Sequence, residues 1–166
     1  MADIESVKAV AQRWYDTLAA GDIEAWQALH APECHYNTSG HTIISGRVDM
    51  AQLMQDILPL VFGNLDMNAF RFKTRQTLLA AEGDTVVGMM EADGPATNGE
   101  RYDQRYIHIF KVRDGSLIEV TEFFDTELAQ RARFAGGDDG AAPEISDAFR
   151  VPGEGEKLIS AGVRSP

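Results

Sequence analysis

Tyr106-Ile-His-Ile-Phe-Lys-Val-Arg-Asp-Gly-Ser-Leu-Ile-Glu-Val120, continued by Thr121-Glu-Phe-Phe-Asp-Thr126, reads as two alternating strands joined at Asp114-Gly115. Its register decides what the hairpin offers. A two-residue loop pairs Arg113 with Ser116 and sends the side chains of His108 and Glu122 to opposite faces. A three-residue loop with Gly115 in a G1 bulge pairs Val112 with Ile118 and sets His108 opposite Glu122. The hydrophobic pattern favours the second, because it puts Phe110, Val112, Ile118, Val120 and Phe124 on one apolar face.

Upstream, periods of two predict further strands over about 67–80, 84–93 and 100–113, with the hairpin's second strand over 116–125. Before Asn64 the period is helical. Ile4, Val7, Val10, Ala11, Trp14 and Leu18 line one face of a first helix, which Ala20-Gly21-Asp22 ends. A short helix follows over 22–29, then a brief strand at 34–38. A third helix is expected from about Val48 to Phe62, with Pro59 near its last turn and Gly63-Asn64 stopping it. Three helices before a strand meander predict an α+β fold, with the helices on one face of a curved antiparallel sheet. From about Arg133 the composition turns to Gly, Asp, Ala, Pro and Glu, so the chain divides into a domain, 1–133, and an extended tail, 134–166.

The 166 residues, 44% of them hydrophobic, suffice for one domain with a core able to enclose a small cavity. A formal charge of −11 argues against nucleic acid or anionic membrane as partner. No run approaches the roughly 18 apolar residues of a membrane span, and Met1-Ala-Asp-Ile-Glu5 is unlike a signal peptide, so a cytoplasmic protein is expected. The single Cys34 cannot form an internal disulfide and reads as a small hydrophobe. His30, His35, His41 and His108 lack metal-ligand spacing, and no Gly-rich phosphate loop is present, so neither metal nor cofactor is expected.

On the strand ending at Arg113, Tyr102, Gln104, Tyr106, His108 and Phe110 share one face. Aromatic walls with a few polar tips suit a small-molecule pocket, although the same face also fits a core whose polar groups satisfy one another. Glu122, between Val120 and Phe124, points the same way. A carboxylate desolvated by aromatics is a general acid or base near neutral pH, and a structural ion pair is the bland alternative. Tyr36 and Trp14 are candidates for the far wall. Asp125 has the opposite parity and reads as the cap of a helix starting at Thr126.

Residues 3–133 resemble the nuclear transport factor 2-like superfamily, in particular its SnoaL-like branch of polyketide cyclases and the related phenazine-biosynthesis isomerase-like proteins. The resemblance is carried by Trp14-Tyr15, Leu18-Ala-Ala-Gly-Asp22, Ser45-Gly-Arg47, Tyr106-Ile-His-Ile-Phe110, Asp114-Gly115 and Glu122-Phe-Phe-Asp125. It implies a cone-shaped barrel of the cystatin-like type: three N-terminal helices on a strongly curved antiparallel sheet. It also implies that Glu122 sits where phenazine-biosynthesis proteins have an acid/base glutamate, and His108 near an oxyanion-stabilising position of ketosteroid isomerases. Tyr36 matches a tyrosine of epoxide hydrolases and scytalone dehydratase. Trp14 and Thr38 replace the oxyanion tyrosine and the base of ketosteroid isomerase, and Met90 and Ala92 replace the Arg and Asp of the epoxide hydrolases, so both of those reactions are disfavoured.

The expectation is a cofactor-independent acid/base enzyme, an isomerase, lyase, dehydratase or cyclase, acting on a small apolar, aromatic or polyketide-like substrate. Glu122, His108 and Tyr36 would carry the chemistry, and Trp14, Tyr102, Gln104, Tyr106, Phe124 and Met90 would bind the substrate. The rival is a non-catalytic binding or assembly domain. A homodimer through the outer sheet face, around Ile107 and Ile109, is expected in either case.

Overall fold

In the computed structural model, residues 3–40 and 42–132 are described here. Asp3 caps helix α1 (Ile4–Ala20), and Gly21, with φ of 69°, ends it in the left-handed conformation. Asp22 then caps α2 (Ile23–Gln27) by accepting from Ala25 N–H. Strand β1 (His30–Thr38) is longer than its sequence pattern predicts, and it pairs antiparallel with β2 (Gly46–Asp49).

The expected third helix therefore starts two residues late. Val48 lies in β2, and a capping box between Asp49 and Gln52 opens α3 (Met50–Gln52). The helix widens to a π turn over Leu53–Ile57 before α4 (Leu58–Asn64). Pro59 accounts for the widening. It has no N–H to donate, and its ring would crowd the carbonyl four residues back in a regular helix.

Strands β3 (Arg71–Glu82), β4 (Thr85–Asp93), β5 (Gln104–Arg113) and β6 (Ser116–Phe124) follow, and α5 (Thr126–Arg131) begins at the Asp125 cap. They form one strongly curved, unclosed sheet in the order β2-β1-β6-β5-β4-β3. The α+β architecture is as expected. The sheet is not antiparallel throughout, because β1 runs parallel to β6. Each hairpin from β3 onward reverses the chain, which fixes the direction of β6, while α1 and α2 fix that of β1.

The β5–β6 hairpin reaches its expected register by another route. The loop has two residues, Asp114 and Gly115, with φ of 51° and 80°, and Arg113 pairs with Ser116. Two positive φ values are what a type I′ turn requires. Val112 pairs with Leu117 and Lys111 with Glu119, so Ile118 is an extra residue in β6. That bulge restores the parity a two-residue loop would lose, and His108 stands opposite Glu122. Leu117, fully buried, takes the apolar place expected of Ile118.

The main core lies between α1 and the concave face, with Val7, Val10, Ala11, Trp14 and Tyr15 packed on Val86, Phe110, Val112, Leu117 and Val120. Burying each large apolar side chain here stabilises by about 1.5–3 kcal/mol. No helix among the described residues is long and apolar enough to cross a membrane. The expected tail, 134–166, lies outside the described residues.

Candidate functional site

Where the sheet curves away from α1, a cavity of about 100 Å³ remains between the sheet and the π turn and α4. Its wall combines Trp14, Leu18, Trp26, Tyr36, Thr38, Met90, Tyr102, Tyr106, Glu122 and Phe124 with Leu53, Ile57, Leu58, Val61 and Phe62 from the helical side. Six of the eight expected site residues besides Glu122 therefore meet at one cavity: Trp14, Tyr36, Met90, Tyr102, Tyr106 and Phe124. Glu122 is the one charged side chain among the described residues of that wall, and it keeps 23% of its side-chain surface exposed.

His108 is not on the wall. It is fully buried behind it, boxed by Trp14 at 4.8 Å between ring centres, Tyr106 at 5.6 Å and Phe110 at 5.6 Å. Its Nε2 lies 3.1 Å from Glu122 Oε2 and its Nδ1 lies 3.0 Å from the Tyr15 hydroxyl. An ionised carboxylate only accepts, so with Glu122 charged Nε2 carries the proton and Tyr15 donates to Nδ1. Burial, and then the charge of Glu122, raise the Tyr15 pKa and keep that hydroxyl protonated. His108 thus holds Glu122 rather than meeting a ligand. It is the only hydrogen-bond partner of the Glu122 side chain among the described residues.

Gln104 also departs from expectation. Its amide accepts from Asp125 N–H at 3.0 Å and donates to Asp125 C=O at 2.9 Å, which locks the turn between β6 and α5. It does not line the cavity. Tyr36 does, but its hydroxyl is already engaged, with Trp14 Nε1 at 2.9 Å and His30 Nε2 at 2.6 Å. Tyr106 donates its hydroxyl proton to Tyr102 at 3.3 Å. Cys34 is buried, and desolvation pushes its thiol up to about 12, which keeps it inert.

Sequence reasoning missed Trp26, His30 and the helical wall. Leu53, Ile57, Leu58, Val61 and Phe62 repeat at helical spacing, a signal that marks an inward face but does not separate core from cavity. Trp26 is 3% exposed, and its Nε1 has no hydrogen-bond partner among the described residues. Among those residues, no three His, Cys, Asp or Glu side chains stand close enough to hold a metal ion together.

The family profile described as SnoaL-like domain matches residues 11–120. No curated protein matches the chain. Among solved structures, an NTF2-like protein from Burkholderia thailandensis E264 superimposes with a TM-score of 0.66 at 22% identity, over 76% of this chain and 95% of that one. A candidate SnoaL-like polyketide cyclase from Jannaschia sp. CCS1 gives 0.62 at 17% identity, over 81% and 96%. TerC, co-crystallised with polyporic acid, gives 0.63 at 18% identity, over 76% and 97%. At these identities the likeness establishes the fold.

Proposed function

Because this chain belongs to the family of SnoaL-like domains, we propose that it is an acid/base enzyme of the isomerase, lyase, dehydratase or cyclase type, acting on a small apolar, aromatic or polyketide-like substrate. The observation that carries this reading is a lone carboxylate, Glu122, in an otherwise uncharged and largely apolar and aromatic wall, with one oxygen held by a buried imidazole. Such a wall provides affinity for an apolar body, and the held carboxylate is aimed without loss of its second oxygen.

Glu122 takes a proton from a substrate carbon. The C–H electron pair stays on the substrate, delocalised into its own carbonyl or ring, and the proton returns at another position or leaves with a departing hydroxyl. A step of this kind needs a base and an electron sink in the substrate, and no cofactor. His108 is a positioning residue, and Tyr15, donating to its Nδ1, supports the tautomer that puts the proton on Nε2. Glu122→Gln keeps the shape and removes the base. Proton NMR in D₂O of a panel of hydroxylated aromatics, enones, β-hydroxy ketones and lactones should show deuterium incorporation or product with the wild type, lowered by about 10²- to 10⁴-fold in the variant. Equal turnover in both proteins would sink the mechanism.

One observation favours the rival reading of a binder that leaves its ligand unchanged. Among the described wall residues no cation faces Glu122, so an oxyanion on the substrate would have no charged partner. Line broadening of panel compounds without exchange in either protein would establish that reading instead.

A further inference from the structure

A second imidazole, half-buried, stands behind the cavity wall, outside the proton transfer assigned to Glu122. His30 Nδ1 lies 3.3 Å from the carbonyl oxygen of Gln27, and Nε2 lies 2.6 Å from the Tyr36 hydroxyl. A carbonyl only accepts, so Nδ1 carries the ring's proton and Nε2 presents a lone pair. Tyr36 therefore donates its O–H to His30. Its oxygen also accepts from Trp14 Nε1 at 2.9 Å, since an indole N–H can only donate. One lone pair of that oxygen remains. Desolvation lowers the His30 pKa to about 4, which keeps the ring neutral and accepting near neutral pH.

We propose that His30 is a specificity-determining positioning residue: by taking the Tyr36 proton it leaves Tyr36 an acceptor, so the cavity selects neutral aromatic ligands that present a hydroxyl over those that present an ether oxygen. Two of the other wall residues agree with this ligand class, against the unpaired Trp26 Nε1–H, which could only donate. Glu122 accepts, the Tyr106 proton is committed to Tyr102, and the described wall offers no cation to an anionic ligand. The proposal rests on the cavity being a ligand site, as proposed above, and not on Glu122 acting as a base.

Calorimetric binding of 1-naphthol and 1-methoxynaphthalene tests it, because the two differ in the hydroxyl proton. The wild type should favour 1-naphthol by about tenfold, the weight of one hydrogen bond whose loss strands a buried partner. Tyr36→Phe should abolish the preference. His30→Leu, which frees the Tyr36 proton, should raise affinity for the methoxy compound. Equal affinities, binding of neither compound, or a preference that survives Tyr36→Phe would overturn the proposal. Long-range proton–nitrogen NMR of the wild type supplies a readout independent of ligand and variant: an unprotonated His30 Nε2 supports the assignment, and a protonated one refutes it. Loss of proton exchange in wild type with the naphthol preference intact would remove the acid/base reading alone.

Discussion

Gly88 has no side chain, and Tyr15 uses the room. A Cβ at this position would lie 2.5 Å from the Tyr15 hydroxyl, and Gly88 pairs across the sheet with His108. The chain Gly88, Tyr15, His108, Glu122 is thus held by one missing methyl group. Gly88→Ala should push Tyr15 off His108 and cost about 1–3 kcal/mol of stability through overpacking. It should also lower Glu122-dependent exchange by about 10- to 100-fold, as loss of an outer partner does at other aimed ligands. Tyr15→Phe should match the fall in exchange with a smaller stability loss; a Gly88→Ala protein with unchanged exchange would contradict the role given to Tyr15. His30 supplies a pH test. Its folded-state pKa is depressed below the unfolded 6.5, so its stabilisation is complete above pH 6.5 and is lost as pH falls toward about 4. Urea midpoints between pH 7 and 4 should fall more steeply in the wild type than in His30→Leu, by at most about 1.4 kcal/mol per pH unit. Parallel slopes would contradict a desolvated neutral ring.

At the scale of elements, the β5–β6 hairpin sets the site through two local devices. Asp114 carries a positive φ of 51° at the turn, and Ile118 is the bulge that brings His108 and Glu122 into register. A β-branched side chain tolerates the left-handed region poorly. Asp114→Val should cost about 1–2 kcal/mol in urea unfolding, whereas Asp114→Asn should be close to neutral. An Asp114→Val protein as stable as wild type would mean that the turn has another conformation. The π turn plays the matching part on the helical side: it absorbs Pro59 and leaves Leu53, Ile57, Leu58, Val61 and Phe62 along the cavity.

At the scale of the whole molecule, the outer sheet face carries a strip of Val87, Met89, Ile107 and Ile109, with Met89 paired to Ile107 and Val87 to Ile109. Its flanking charges are already paired, Arg105 with Glu91 at 3.0 Å and Lys111 with Glu119 at 3.1 Å. A chain of net charge −11 repels its copies over most of its surface, but less where charges are neutralised locally. We propose that two copies associate through this strip about a two-fold axis. Sedimentation at micromolar concentration should show a dimer for wild type and a monomer for Ile107→Glu. A monomeric wild type would refute the arrangement.

The sequence by itself determined the α+β class, the order of the elements apart from β2, the Asp125 cap and the inward face shared by Tyr106, His108, Phe110 and Glu122. Those follow from hydrophobic period and capping chemistry, which are local. It misplaced the loop that sets the register, because a turn and a compensating bulge give the same pairing as the single longer loop that the pattern favoured. It also overlooked the Asp49 and Gln52 capping box, a local signal overruled by the longer apolar period around it. Only the tertiary structure decided that His108 and Gln104 stand behind the wall, and that Tyr36 gives its proton to His30. Parity says which face a side chain takes. Which hydrogen bonds it makes there depends on groups from other elements, Tyr15 on α1 and the Gln27 carbonyl at the end of α2, whose approach is fixed by packing and not by their position along the chain.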